Sequence, residues 1–145
     1  MAATTITQES AQDFALCWFD ALDQHAPLDE LLPYLTRDGL VMKFPEGTFH
    51  GIPGFTDWYD AVAHKFFDEV HTLTSVRILS GTHLRAEVEV VVNWQAKVWS
   101  PPAARSTWLG FDASQTWTLA VEDGAVRIAE YVVDDIAAMP GSASL

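Results

Sequence analysis

Between Leu84 and Val98 apolar and polar residues alternate almost without a break. Leu84, Ala86, Val88, Val90, Val92, Trp94, Ala96 and Val98 fall on one side, and Arg85, Glu87, Glu89, Asn93, Gln95 and Lys97 on the other, with only Val91 and Trp99 out of pattern. Successive side chains along a strand point to opposite faces, so this stretch predicts a long strand with one dry and one wet face. A strand beginning near His71 and passing through Val76, Ile78 and Leu79 precedes it, joined by a turn at Ser80-Gly81-Thr82. A third strand, from about Arg105 to Val121, carries Leu109, Phe111, Ala113, Trp117, Leu119 and Val121 on one face, with Gln115 set among them. Asp123-Gly124 is a two-residue hairpin signal. That turn pairs Leu119 with Ile128 and Trp117 with Glu130, which places Glu130 inside; a three-residue turn would instead turn Arg127 and Tyr131 inward.

Helical periodicity fills the first half of the chain. Thr5 and Gln8 have the spacing of a capping box. After them Ala11, Phe14, Ala15, Trp18 and Leu22 share one side of a helix running to about Gln24. At about 100° per residue, Asp13 and Asp20 lie opposite that stripe and Asp23 on its shoulder. Pro27 opens a second helix over Leu28 to Leu35, spoiled near its end by Pro33. Two short strands follow, Leu40 to Phe44 and Thr48 to His50, joined by a turn at Pro45-Glu46-Gly47. A third helix then carries Phe55, Trp58, Tyr59, Val62, Ala63 and Phe66 on one face. This order predicts a single α+β domain over residues 1–145, with its core at about 8–136 and frayed termini. In it a curved antiparallel sheet wraps as a cone around three N-terminal helices and encloses an apolar cavity.

Composition narrows the function classes. At 145 residues, 49% of them apolar, the chain can bury a sizeable core. A net charge of −12 argues against nucleic acid or an anionic membrane surface as partner. The single cysteine, Cys17, excludes an internal disulfide and fits a reducing compartment. Met1 to Ser10 has no basic residue and no apolar run, and no segment is long and apolar enough to span a bilayer, so a soluble cytoplasmic protein is expected.

The element order and particular residues resemble the nuclear transport factor two-like superfamily, in the branch of SnoaL-like proteins and scytalone dehydratase. The helix ending at Leu22-Asp23, the Phe49-His50-Gly51 turn, the Val70-His71-Thr72 strand start and Asp123-Gly124 carry the resemblance, which covers Gln8 to Ile136. It implies a cystatin-like fold in which Asp23 orients His71 inside the cavity and Gln115 supplies an amide. It also implies pairing of two copies sheet to sheet. In this chain Ala96 stands where the dehydratase pattern has a second histidine, and Leu22 where it has a tyrosine. No tyrosine occurs on the first strand.

Histidine is the natural acid and base near neutral pH, and a carboxylate behind it fixes its tautomer. The competing interpretation makes His71 a strand-start histidine and Asp23 a surface acid at a helix end. His25, His50, His64 and His83 are expected to face solvent, and none has metal-ligand spacing with another His, Cys or acid. Glu87, Glu89, Asp134 and Asp135 belong to solvated faces. With no Gly-rich phosphate loop and no nucleophile elbow, neither metal nor organic cofactor is expected. Trp94, Trp117, Trp58, Tyr59 and Phe66 are core residues by default and the natural walls of a pocket. The expected activity is proton transfer (dehydration, isomerisation or cyclisation) on a small apolar cyclic or aromatic molecule. The alternative is a homodimeric module that binds without turnover. Val91, Trp99 and Trp108 give the outer sheet face a partly dry patch suited to a dimer.

Overall fold

The first helix starts two residues later than the Thr5 signal suggests. In the computed structural model, which describes residues 3–145, α1 (Gln8–Asp23) is capped by Thr7. Its hydroxyl accepts from the Ser10 N–H (3.0 Å), while the Ser10 hydroxyl accepts from the Thr7 N–H (2.8 Å). The stripe Ala11, Ala15, Trp18, Phe19 and Leu22 is buried, and Asp13 and Asp20 are exposed. A short α2 (Leu28–Leu31) and a 3-10 turn (Leu32–Tyr34) follow, then β1 (Val41–Phe44), β2 (Gly47–His50), α3 (Gly51–Lys65), β3 (Phe67–Gly81), β4 (Arg85–Val98), β5 (Thr107–Glu122) and β6 (Ala125–Ala138).

The strands form one six-stranded sheet in the order β2-β1-β6-β5-β4-β3. The expected antiparallel cone is corrected here: the sheet is open and mixed. β2 and β3 are its two free edges, and β1 runs parallel to β6, with Val41, Met42 and Lys43 opposite Glu130, Tyr131 and Val132. The sequence shows four strands as a meander, which is the β3 to β6 portion. It gives no local sign that β1 passes over its neighbours in sequence to pair with the last strand. A parallel pair has no connecting turn to announce it.

The dry face of β4 follows the predicted alternation from Ala86 onward, whereas Leu84, expected on that face, lies before the strand and is 58% exposed. Ala86, Val88, Val90, Val92 and Ala96 are buried, and Trp18, Phe55 and Trp117 are fully enclosed in the same core. Burying one such large side chain stabilises the fold by about 1.5–3 kcal/mol. On β5 the inward residues are Leu109, Phe111, Ala113, Gln115, Trp117 and Leu119.

Asp123 (φ 52°) and Gly124 (φ 75°) form the expected two-residue turn, and Leu119 does face Ile128. Beyond that pair the register shifts. Ala129 is an extra residue on β6, so Thr118 faces Glu130 and Trp117 faces Tyr131. The expected inward placement of Glu130 is therefore wrong, because one bulged residue reverses the alternation as far as the next irregularity. A second shift between Ser114 and Gln115 brings Ile136 opposite Ala113. β3 is irregular too, with register shifts between Phe67 and Val70, Leu73 and Ser75, and Ile78 and Ser80.

The C-terminal tail is pinned rather than frayed. The Met139 N–H donates to the Gly110 carbonyl (2.9 Å), and the Ala143 N–H to that of Trp108 (3.2 Å). The Gly110 N–H donates to Ser142 Oγ (2.9 Å). Gly110 makes this possible, since a β-carbon there would lie 2.4 Å from the Trp108 ring and 2.8 Å from Met139 Sδ. Gly110→Ala should lower global stability by about 1 kcal/mol through overpacking. It should lower hydrogen-exchange protection of the Met139 and Ala143 amides by more than that of β4. Urea unfolding and exchange measured on the same variant check both.

Candidate active site

A cavity of about 110 Å³ lies between the helices and the inner face of the sheet. Leu22 of α1, Tyr59 of α3, Phe66 just after it, Val92 of β4 and Phe111 of β5 supply apolar wall, and Leu145 of the tail reaches it as well. Trp58, Trp94, Gln115 and His71 also line it. Asp23 lies behind His71, and Trp117 is enclosed in the core rather than forming a wall.

Asp23 is the last residue of α1, and His71 lies near the start of β3. They meet through two hydrogen bonds. The His71 backbone N–H donates to Asp23 Oδ2 (2.8 Å), and its ring Nδ1 pairs with Oδ1 (2.5 Å). An ionised carboxylate only accepts, so the shared ring proton belongs to Nδ1 and the lone pair of the neutral imidazole to Nε2. The ring is stacked on Phe19 at 4.7 Å between centroids, with Trp94 at 6.4 Å on a near-parallel plane. Side-chain exposures of 12% for His71 and 19% for Asp23 leave the pair mostly enclosed while the ring still borders the cavity. The first ring nitrogen is thus occupied by Asp23, and the ring borders the cavity.

A second histidine–carboxylate pair shares the cavity. His25, expected to face solvent, instead lines it and bonds through Nε2 to Glu69 Oε2 (2.5 Å). Glu69 Oε1 accepts from Trp94 Nε1 (3.0 Å), so both carboxylate oxygens are occupied. The correction follows from how α1 ends. The His25 N–H donates to the Leu22 carbonyl and the Ala26 N–H to that of Ala21, with His25 in the left-handed region at φ 49°. That is a Schellman ending, with a histidine where glycine is the usual residue. The turn swings the side chain back over the cavity, at a conformational cost of about 1–2 kcal/mol for a non-glycine residue. Glu69 could have been found from sequence, since it is two residues before His71 and therefore on the same strand face.

The remaining polar groups are largely committed. Gln115 Oε1 accepts from Trp117 Nε1 (2.9 Å), and its amide nitrogen, beside the Tyr131 phenol, has two N–H groups to share. The Tyr59 hydroxyl donates to the Ala26 carbonyl (2.6 Å), and burial followed by the Glu69 charge raises its pKa. Tyr131, which takes the inward place expected of Glu130, is pushed well above the ordinary phenol range by burial, the polar groups of Trp18 and Gln115 offsetting part of it. Both phenols are therefore protonated donors near neutral pH. Glu130 does not line the cavity. Trp58 stacks on Phe44 at 3.8 Å. Among the described residues, no three His, Cys, Asp or Glu side chains gather as a metal site would require. No helix there is long and apolar enough to cross a membrane.

No family model matches the chain. No curated protein matches it either. Solved structures do match in fold. A hexachlorocyclohexane dehydrochlorinase from Novosphingobium barchaimii LL02 superposes with a TM-score of 0.73 at 15% identity, over 94% of this chain and 93% of that one. A protein assigned as a scytalone dehydratase from Novosphingobium aromaticivorans DSM 12444 gives 0.72 at 12% identity, over 88% and 80%. The beta subunit of the benzoate 1,2-dioxygenase from Burkholderia mallei gives 0.68 at 16% identity, over 89% and 90%. The shared architecture is the nuclear transport factor two-like fold, as the sequence resemblance implied.

The Asp23 geometry makes a prediction that needs no substrate. In Asp23→Asn the His71 backbone N–H still requires an acceptor, which holds the amide oxygen on that side and turns the NH2 toward Nδ1. The ring should then move its proton to Nε2, at a stability cost of about 1–2 kcal/mol. Long-range nitrogen–proton NMR of the histidine rings should show Nδ1–H in the neutral wild-type ring and Nε2–H in the variant. An unaltered tautomer would contradict the assigned hydrogen bonds.

Proposed function

We propose that this nuclear transport factor two-like domain binds a small, largely apolar, cyclic or aromatic molecule and catalyses proton transfer on it. The reaction class is dehydration, isomerisation or cyclisation, with no metal or organic cofactor taking part. The observation that carries the reading is His71, held at Nδ1 and at its backbone N–H by one carboxylate while its ring borders an apolar cavity. In this scheme His71 Nε2 removes a proton from carbon next to an electron-withdrawing group, and Asp23 holds the ring and balances its charge once it is protonated. The Gln115 amide donates to a substrate oxygen, and the aromatic walls exclude water. Dehydrochlorination and dehydration, after which two of the similar structures are named, are both eliminations, which agrees with this chemistry.

A nitro-substituted benzisoxazole tests the base without knowledge of the natural substrate, because its ring opens in one step when a base takes its single acidic C–H proton. Wild-type protein should accelerate the opening, and His71→Ala should lower kcat/KM by at least about a hundredfold, as loss of a positioned base does. A change smaller than about tenfold would reject the base role and favour a binding module without turnover.

The proposal includes a second copy joined through the outer sheet face. Val91 is half-buried on that face, and Trp99, just past the end of β4, is 52% exposed. Trp108, the third residue expected in the patch, is instead packed beneath the tail. Sedimentation should show a dimer at micromolar concentration that Val91→Glu converts to monomer, since an unpaired charge in an apolar contact is costly. A wild-type monomer would reject this part.

A further inference from the structure

His25 sits at a backbone position where glycine would be unstrained, and its ring is nonetheless turned into the cavity and held by a carboxylate that bonds nothing else but Trp94. Backbone strain retained at a cavity wall points to a use for the side chain. Its partner Glu69 is two residues from His71, so both pairs hang from one strand face and address one cavity. The proposed base accounts for only one of the two histidines.

We propose that His25 is the second catalytic residue, the acid that protonates a leaving oxygen, with Glu69 as the residue that positions it. The inference rests on His71 acting as the base. His71 Nε2 takes a proton from carbon, the C–H electron pair becomes the new C=C bond, and the C–O bond breaks with its electrons leaving on oxygen. His25 gives that oxygen a proton, and water departs. One proton then passes through solvent from His71 to His25 and restores both, so atoms and charge balance with no oxidant or reductant. An imidazolium at position 25 has one N–H for Glu69 and a second to give away.

This narrows the substrate class. A halide leaves without a proton, whereas hydroxide does not leave an apolar site unprotonated. Two proton-carrying rings in one cavity therefore fit a hydroxyl-bearing cyclic substrate with an acidic C–H beside the carbinol carbon, and elimination of water rather than of halide.

Benzisoxazoles separate the two roles, since their leaving oxygen becomes a phenolate whose need for a proton falls when a nitro group is added. In His25→Gly, kcat/KM for unsubstituted benzisoxazole should fall by about tenfold or more, while that for the nitro compound falls by less than about threefold. The melting temperature should not drop, because glycine relieves the left-handed backbone. If His25→Gly proves less stable, His25→Asn, which tolerates that backbone, carries the same comparison. Glu69→Gln should reproduce the same dependence on leaving group. Equal losses for both compounds, or none for either, would overturn the acid role of His25 while leaving His71 as the base. A wild-type rate that does not depend on His71 would overturn the proposed function itself, a separate and distinguishable result.

Discussion

One carboxylate joins the two halves of this molecule. Asp23 closes the first helix, and both of its oxygens are taken by a single residue of the edge strand, one by the His71 backbone and one by its ring. Either bond alone would leave freedom. The backbone bond alone would let the imidazole turn, and the ring bond alone would let the helix end drift along the strand. Together they fix the depth of α1 over β3 and the tautomer of the histidine at once. Removing the carboxylate leaves a mostly buried N–H without an acceptor, a cost of about 1–3 kcal/mol. Because α1 covers one side of the cavity through Leu22, the position of that wall depends on the same bonds.

The chemistry left open follows from what is closed. Asp23 and Glu69 each have both oxygens occupied, so neither carboxylate is free to act as a nucleophile or to accept a proton directly. The phenols of Tyr59 and Tyr131 hold their protons, and Gln115 has its carbonyl engaged. What remains at the cavity surface is imidazole, the Gln115 amide, apolar wall and, at the exposed side, the Glu46 carboxylate. Such a surface is suited to moving protons and shedding water.

Much of this was legible in the sequence, and the exceptions share a cause. The alternation along β4 placed Val88, Val90 and Val92 in the core, and Asp123-Gly124 gave the turn and the Leu119–Ile128 pair. Asp23 on the shoulder of α1 and His71 at the strand start were readable, and they do meet. What failed is whatever one residue of backbone geometry decides. The bulge at Ala129 leaves no mark in composition, yet it exchanges Glu130 for Tyr131 at the cavity. The left-handed turn at His25 carries no glycine to announce it. The parallel pairing of β1 with β6, which makes the sheet mixed rather than all antiparallel, joins segments far apart in the chain and has no local signal.

The irregularity of β3 has a consequence outside the cavity. At 15 residues it is long, and as an edge it offers one side of its backbone to any strand that could add to it. A flat edge of that length is a template for fibrous aggregation. Three register shifts and a left-handed residue, Asp68 at φ 51°, break the row of donors and acceptors into short pieces that an incoming strand cannot match in one register. With a formal net charge of −12 adding repulsion between copies, the molecule is defended against end-to-end sheet growth at the strand that holds its histidine. Straightening β3 by deleting a bulged residue would change colloidal behaviour before it changed the fold.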